Sequence, residues 1–321
     1  MAVIALDLGG TKIAGALMNE DGKILYTHRN LLNGRSGGEV GTLIADNVRL
    51  LVERARYHRI NVEAVGACIP GIVDPETGIV WAPNIPGWEK FPLRSVIRRA
   101  LGTGHEETPI LIDNDRICYV YGSKWKGASR DCRNVVFMAV GTGIGAGIVI
   151  DGHPLHGASN IIGAAGWMAL DAPWTEAYGP AGCFEYYASG AGICARAKDM
   201  VRADKQYRGP LRQKPISRIT TGDVFQAYDG GDPIATTVIR KAVQMWGMAA
   251  ANIVSLLNPE LIVWGGGVFG PAQALIPDIY REALKWAQPI SIRQVRFIPS
   301  EMKGPAGILG AAYIAINRDK I

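Results

Sequence analysis

Residues 3–15 read VIALDLGGTKIAG, and the fold turns on how this stretch is read. Val3 to Leu6 is a continuous apolar run of the kind shown by a strand buried on both faces. Asp7 breaks it, Gly9-Gly10-Thr11-Lys12 follows, and Ile13-Ala14-Gly15-Ala16-Leu17 resumes it. Two short apolar runs joined by a glycine turn predict a β-hairpin. Adjacent glycines let backbone N–H groups approach an anion, because no Cβ stands in the way. Thr11 and Lys12 add a hydroxyl and a positive charge at the same spot. Asp7 stands at the end of a buried strand, where a carboxylate is costly unless it holds a metal ion or its waters. The plainer alternative for the stretch alone is an ordinary hairpin with a surface lysine.

The surrounding chain has 321 residues, 48% of them hydrophobic and 20% charged. That is long for one core and suits two domains. A net charge of +5 without a dense Lys/Arg run favours anionic substrates weakly and does not point to nucleic acid. No apolar run reaches the ~18 residues of a membrane span and no signal-peptide pattern opens the chain, so a cytoplasmic protein without a membrane partner is expected. The five cysteines, Cys68, Cys118, Cys132, Cys183 and Cys194, are odd in number and lie in largely apolar settings. They fit reduced thiols, not a disulfide framework.

Taken in order, the opening hairpin continues through Asn19-Glu20-Asp21-Gly22 into a strand at 23–29. A helix is predicted over 39–60 from the spacing of Val40, Leu43, Ile44, Val48, Leu51 and Val52. A buried strand (64–69), a second hairpin around Pro75-Glu76-Thr77-Gly78, a helix (93–101) and a strand (109–112) ending in Asp113-Asn114-Asp115 complete one α/β domain. A helix at 116–127 leads into the second half. There the strand 134–140 runs into Gly141-Thr142-Gly143-Ile144-Gly145-Ala146-Gly147 and a second apolar run, 148–150. This repeats the opening pattern and suggests two related halves, each presenting a glycine turn, across a cleft. Residues 154–180 read as loop. Helices are predicted at 184–201, 221–228, 233–257, 273–286 and 307–316, and strands at 260–264, which meets Gly265-Gly266-Gly267, and 295–299.

Gly265 to Gly270 fits G-x-G-x-x-G after a predicted strand, as a dinucleotide-binding fingerprint requires. Phe269-Gly270-Pro271 interrupts the helix start, however, and no second βαβ unit follows. A phosphotransferase with three glycine turns around one nucleotide accounts for more of the sequence. LDLGGTK, PNIPGW, Asn114-Asp115, VGTGIGAGIVIDG, NPELIVWGGG and GILGAA together resemble the ROK family of sugar kinases, in family order from Leu6 to Ala312. The resemblance implies an α/β fold of two ribonuclease-H-like (actin-like ATPase) domains flanking a cleft. The first would span 1–115, joined by a C-terminal helix at about 303–321, and the second 116–302. It also implies ATP with Mg²⁺, phosphorylation of a sugar or sugar-like hydroxyl, and a homodimer.

Phosphoryl transfer asks for positioning, charge stabilisation and a group to accept the hydroxyl proton. Asp115 matches the family's catalytic base, although aspartate at such a position also caps helices well. Asn84, Asn114 and Asp115 match sugar contacts, and Asp7 the residue that orients Mg²⁺ and its waters. Gly9, Gly10, Thr11, Gly141, Thr142 and Gly143 match the phosphate grips, with Lys12 adding charge nearby, and Gly266 and Gly267 the adenosine-side loop.

The chain also departs from the family. Glu-x-Gly-His is replaced by Ala164-Ala165-Gly166-Trp167, and Cys-x-Cys-Gly-x-x-Gly-Cys-x-Glu by residues 176–185. Of the family's four structural zinc positions, three hold Trp167, Glu176 and Tyr178, and Cys183 alone remains. One thiol cannot make a four-coordinate site, so no structural zinc is expected; a site built from Cys183, Glu176, His153 and His156 is the alternative. Trp167, Tyr178 and Phe184 are expected to form an apolar cluster instead, with Trp167 alternatively stacking on a sugar. Glu185 survives as a sugar contact. Some ROK proteins are repressors with a winged helix-turn-helix before the kinase-like part. With the first hairpin at Val3, no DNA-binding domain is expected, and a non-catalytic sugar-binding sensor is the alternative function.

Overall fold

A computed structural model describes residues 2–302 and 306–318. The segment expected at 303–321 therefore lies partly outside the described residues, at 303–305 and 319–321. The chain divides into two compact units: Met1–Asp131 with His153–Ile162 and Glu301–Ile321, and Cys132–Gly152 with Gly163–Ser300.

In the first unit the opening stretch forms β1 (Ala2–Leu8) and β2 (Lys12–Asn19), antiparallel, with Leu8 opposite Ile13. β3 (Ile24–Leu31) extends the hairpin, and β4 (Val62–Ile69) pairs parallel with β1 on the other edge. Two-residue strands β5 (Ile72–Val73) and β6 (Val80–Trp81) make a small separate hairpin. β7 (Ile110–Asn114) pairs parallel with β4, giving the order β3-β2-β1-β4-β7.

Period-two alternation sorts the strand side chains onto two faces. Ile4, Leu6 and Leu8 join a core with α1 (Gly37–Tyr57) and α2 (Leu93–Leu101). Val3, Ala5 and Cys68 join a second core with α3 (Asp115–Lys126) and the last helix, Ala306–Ile316. Helices on both faces explain why β1 is buried along its length except at Asp7, which is half-buried. α3, expected to open the second domain, packs within the first unit, where Tyr121 stacks on Tyr313 of the last helix at 4.8 Å. α1 starts earlier than its apolar spacing indicates, because Ser36 and Glu39 form a capping box ahead of Val40.

The second unit repeats the hairpin as β8 (Val135–Val140) and β9 (Ile144–Ile150). The strand Leu261–Gly265 pairs parallel with β8, and Arg296–Pro299 parallel with Leu261–Gly265. The second turn is only Gly141-Thr142-Gly143. Residues 144–147, read from sequence as part of the glycine turn, begin β9, with Ile144, Ala146 and Ile148 buried. The helix expected over 184–201 is two: α4 (Cys183–Ala188) and α5 (Gly190–Ala203). Ser189 divides them by capping α5, its hydroxyl accepting the Gly192 N–H at 2.9 Å. α6 (Thr221–Asp229) and α7 (Pro233–Leu257) follow, and the helix expected over 273–286 is regular only at Ile276–Ala283. No helix among the described residues is long and apolar enough to cross a membrane.

Candidate active site

In the first unit the Gly9 N–H closes the hairpin on Lys12 O at 2.9 Å, leaving Gly10 and Thr11 exposed at the tip. Gly10 lies against a loop far along the chain: a Cβ there would stand 3.1 Å from Asn84 O. That loop, PNIPGW, is anchored by its tryptophan. Trp88 is buried, stacks on Phe91 at 4.1 Å, and donates Nε1–H to Gly37 O at 3.1 Å, while the Gly37 N–H bonds Pro86 O at 2.8 Å. Asn84, exposed, is thus brought beside the first glycine turn.

Asp7 lies beneath that turn. Burial pushes its carboxyl up, opposed by a hydrogen bond with the Cys68 thiol and by the charge of Lys12. Gly307 of the last helix leaves no room for a Cβ beside the carboxylate. Cys68 stands opposite Asp7 in the β1–β4 register and is hydrogen-bonded with Cys118 of α3; that bond, then burial, raises the Cys68 thiol well above its ordinary range. The apolar setting of these cysteines was legible in sequence. Their convergence on Asp7 was not, since it needs the strand register.

α3 begins where β7 ends. Its cap is Asn114, whose Oδ1 accepts the Ile117 N–H at 3.0 Å, so Asp115 is the first helical residue and is free of capping duty. Burial raises the Asp115 carboxyl to about 6, partly offset by Arg116, whose Nε lies 4.0 Å from Oδ1. A carboxyl at that level is mostly ionised at neutral pH, yet basic enough to take a proton in a transition state. Asp113, on the other side of Asn114, accepts from His156 Nε2 at 2.9 Å.

In the second unit the Gly141 N–H bonds Gly143 O at 2.9 Å. The turn is held from behind by α5, whose Gly190 N–H donates to Gly141 O at 2.8 Å and Ala191 N–H to Thr142 O at 3.3 Å. Glu185, expected on the sugar, accepts the Ile144 N–H at 2.6 Å, and it fills the space that a Cβ on Gly143 or Gly166 would need. Burial raises its carboxyl. Gly266, with φ 89°, lies so close to the Val140 backbone that no Cβ fits, which puts the third glycine loop beside the second turn. Gly141 and Gly267 have open space where a Cβ would stand. This suits a ligand phosphate or ribose approaching the backbone.

Trp167 does not join a buried cluster. Its indole is 59% exposed, whereas Tyr178 and Phe184 are buried. The Gly166–Trp167 backbone lies hard against Gly182, and the side chain turns outward. Tyr178 packs instead with Tyr186 and Tyr187, its hydroxyl 3.0 Å from that of Tyr187. Among the described residues no group of three His, Cys, Asp or Glu side chains could hold a metal ion.

The ROK family profile matches residues 3–318. A glucokinase of Halalkalibacterium halodurans is 31% identical over 98% of this chain and 95% of its own length. A xylose repressor of Caldicellulosiruptor bescii is 26% identical over 98% of this chain and 78% of its own. Among solved structures, a ROK glucokinase of Streptomyces griseus in complex with glucose and AMPPNP matches with a TM-score of 0.77 at 27% identity, over 97% of this chain and 98% of that one.

Proposed function

The chain belongs to the ROK family, and from that premise we propose that it is an ATP-dependent carbohydrate kinase with Asp115 as general base. The observation that carries the reading is the Asp115 carboxyl: first residue of α3, released from capping by Asn114, and raised by burial to about 6. In this mechanism Asp115 takes the proton of the acceptor hydroxyl as the hydroxyl oxygen attacks the γ-phosphorus of ATP, the bond from that phosphorus to the β–γ bridging oxygen breaks, and ADP leaves. Asn84 and Asn114 orient the acceptor. The backbone at Gly10, Thr11, Gly141, Thr142 and Gly143 grips the phosphates, Lys12 adds charge, and Gly266 and Gly267 take the adenosine side. Asp7, half-buried at a strand end beneath the first turn, fits the residue that would hold the waters of Mg²⁺. When bound, Mg²⁺ spreads the charge that develops on the transferred phosphoryl group.

D-glucose is the first acceptor to test, because relatives at 31% and 27% identity are glucokinases. The absence of Glu and His at Ala164 and Trp167 favours a changed hydroxyl preference, since a pocket built to pair a hydroxyl rejects the analogue lacking it. The exposed Trp167 indole offers a stacking face for a sugar ring. The xylose repressor relative supports a second reading, a sugar-binding sensor without catalysis. One experiment separates the two: ADP release from ATP and Mg²⁺ over a panel of hexoses, N-acylhexosamines, ketoses, sugar acids and cyclitols. The kinase reading predicts turnover with at least one member. Binding of a member without ADP release would favour the sensor.

A further inference from the structure

The segment His153–Ile162 interrupts the second unit in sequence but packs with the first. Two side chains tether it there. Asn160, in the left-handed region at φ 55°, donates Nδ2–H to Val73 O of β5 at 2.9 Å. His156 Nε2 lies 2.9 Å from Asp113 Oδ2. The turn between them closes through Ile162 N–H to His156 O at 3.4 Å, with Gly157 at φ 70°. The histidine is therefore presented to the end of β7 by a segment fixed at a second point.

Asp113 is nearly buried, and both its oxygens are committed. Oδ1 accepts the Asn114 backbone N–H at 2.7 Å and lies 3.3 Å from Asn114 Nδ2, while Oδ2 faces His156. Asn114 in turn caps α3 through Ile117, and Asp115 is the next residue. The strand register adds a transverse link, because Asp7, Cys68 and Asp113 stand in line across β1, β4 and β7. That row lies at the carboxyl ends of parallel strands, where open α/β sheets bind ligands. Deleting His156 would leave Oδ2 of a nearly buried carboxylate unpaired, a costly state that side-chain rotation toward water would relieve. The same rotation would withdraw Oδ1 from Asn114.

We propose that His156 is a positioning residue: by holding Asp113 it fixes Asn114, and with it the first turn of α3 on which Asp115 stands, for the acceptor sugar. The His156 ring is pushed above its ordinary pKa mainly by its hydrogen bond to Asp113, as such a pairing requires. A donor at Nε2 suffices for this role, so glutamine can replace the ring in part while alanine cannot. The consequence for catalysis rests on the kinase reading; the hydrogen-bonded chain itself does not.

The test has two arms. NMR on the intact ligand-free protein should show a His156 Nε2-bound proton protected from exchange. His156→Ala should move the Asn114 and Ile117 backbone amides and speed their exchange, and His156→Gln should return them toward wild type. In steady-state kinetics with ATP and the panel sugar turned over fastest, His156→Ala should raise the sugar KM about tenfold or more. The ATP KM should stay within about twofold, and His156→Gln should recover most of the loss. Asn114 and Ile117 amides unmoved by His156→Ala would overturn the proposal. So would sugar and ATP KM rising together, which marks general loosening. A wild type that turns over no sugar overturns the kinase reading, and the NMR arm then still decides the chain from His156 to Asn114. If His156→Ala fails to fold, the wild-type Nε2 proton and the glutamine variant decide it.

Discussion

In the first unit the strand entering the glycine turn ends Leu6-Asp7-Leu8, with Leu8 paired to Ile13; in the second, the matching strand ends Met138-Ala139-Val140, with Val140 paired to Ile144. Ala139 thus stands where the first unit has Asp7. Both hairpins pair antiparallel, and both carry a parallel strand on the far side of the first strand. They are equipped for different work. The first unit keeps carboxylates at its strand ends, Asp7 and Asp115, both raised by burial, with the charge of Asp7 raising Asp115 further. The second offers backbone: a three-residue glycine turn braced by α5 and Glu185, with Gly266 beside it. A buried carboxylate is destabilising and is kept where chemistry needs it. A glycine turn suits an anion whose own charge does the work. On the kinase reading proposed above, the first unit supplies the proton acceptor and the metal-holding carboxylate, and the second supplies the adenosine-side loop with further backbone for the phosphates.

The strongest way to break this division is Asp115→Asn. General-base assistance is worth ~10²–10⁴-fold, so kcat should fall by at least about a hundredfold while ATP affinity, measured by calorimetry, holds. A variant keeping more than about a tenth of wild-type kcat would remove Asp115 from the base role.

Gly266→Ala probes the other unit. It places a side chain at φ 89° against the Val140 backbone, a strain of about 1–3 kcal/mol. ATP affinity should weaken by about tenfold or more, with sugar binding little changed. Loss of sugar affinity alone would reverse the assignment.

Stability separates the units more finely. The folded-state pKa of Asp115 lies above the ordinary carboxylate value of 3.8, at about 6. The folded protein therefore binds the proton more tightly than the unfolded chain, and stability from this group declines as pH rises between those values. Above about 6 the full cost applies. Asp115→Asn should then be more stable than wild type by about 1–2 kcal/mol near pH 7–8, since the burial cost exceeds the ~0.3–1 kcal/mol a carboxylate gains at a helix N-terminus. The gain should vanish below about pH 4 in denaturant titrations. A variant less stable at pH 8 would show that the carboxylate is held by favourable contacts.

The smallest expected effect is on the metal question. We propose that the protein contains no structural zinc: Tyr178, at a position where the family carries a zinc ligand, packs against the Tyr186 and Tyr187 rings instead. Melting with and without EDTA should agree within about 1 °C, because a structural zinc would contribute far more than that to folding. Stoichiometric zinc by elemental analysis would contradict the proposal.

Much of this was legible in the chain. The apolar runs around Gly9-Gly10 and Gly141–Gly143 indicated both hairpins, because a glycine turn between buried strands has few other solutions. The break at Ser189 was missed since apolar spacing continues through it, while a hydroxyl cap and a tertiary bond to Gly141 decide the backbone. Trp167 was expected to cluster with Tyr178 and Phe184 because it stands where the family carries a zinc ligand. Its exposure follows from the close approach of Gly182 to its own backbone, which no spacing rule carries. The Asp113–His156 pair was invisible because it depends on a returning segment, 153–162, that packs with the first unit.

The central claim, that a half-buried carboxyl in the first unit is the base, is tested most directly by the pH dependence of kcat/KM for the panel sugar. Activity should rise with pH through a limb near 6, as Asp115 ionises. Arg116→Gln removes the cation that favours the ionised form, so the limb should move to higher pH. A limb that stays in place in Arg116→Gln would assign the titration to another group and contradict the account.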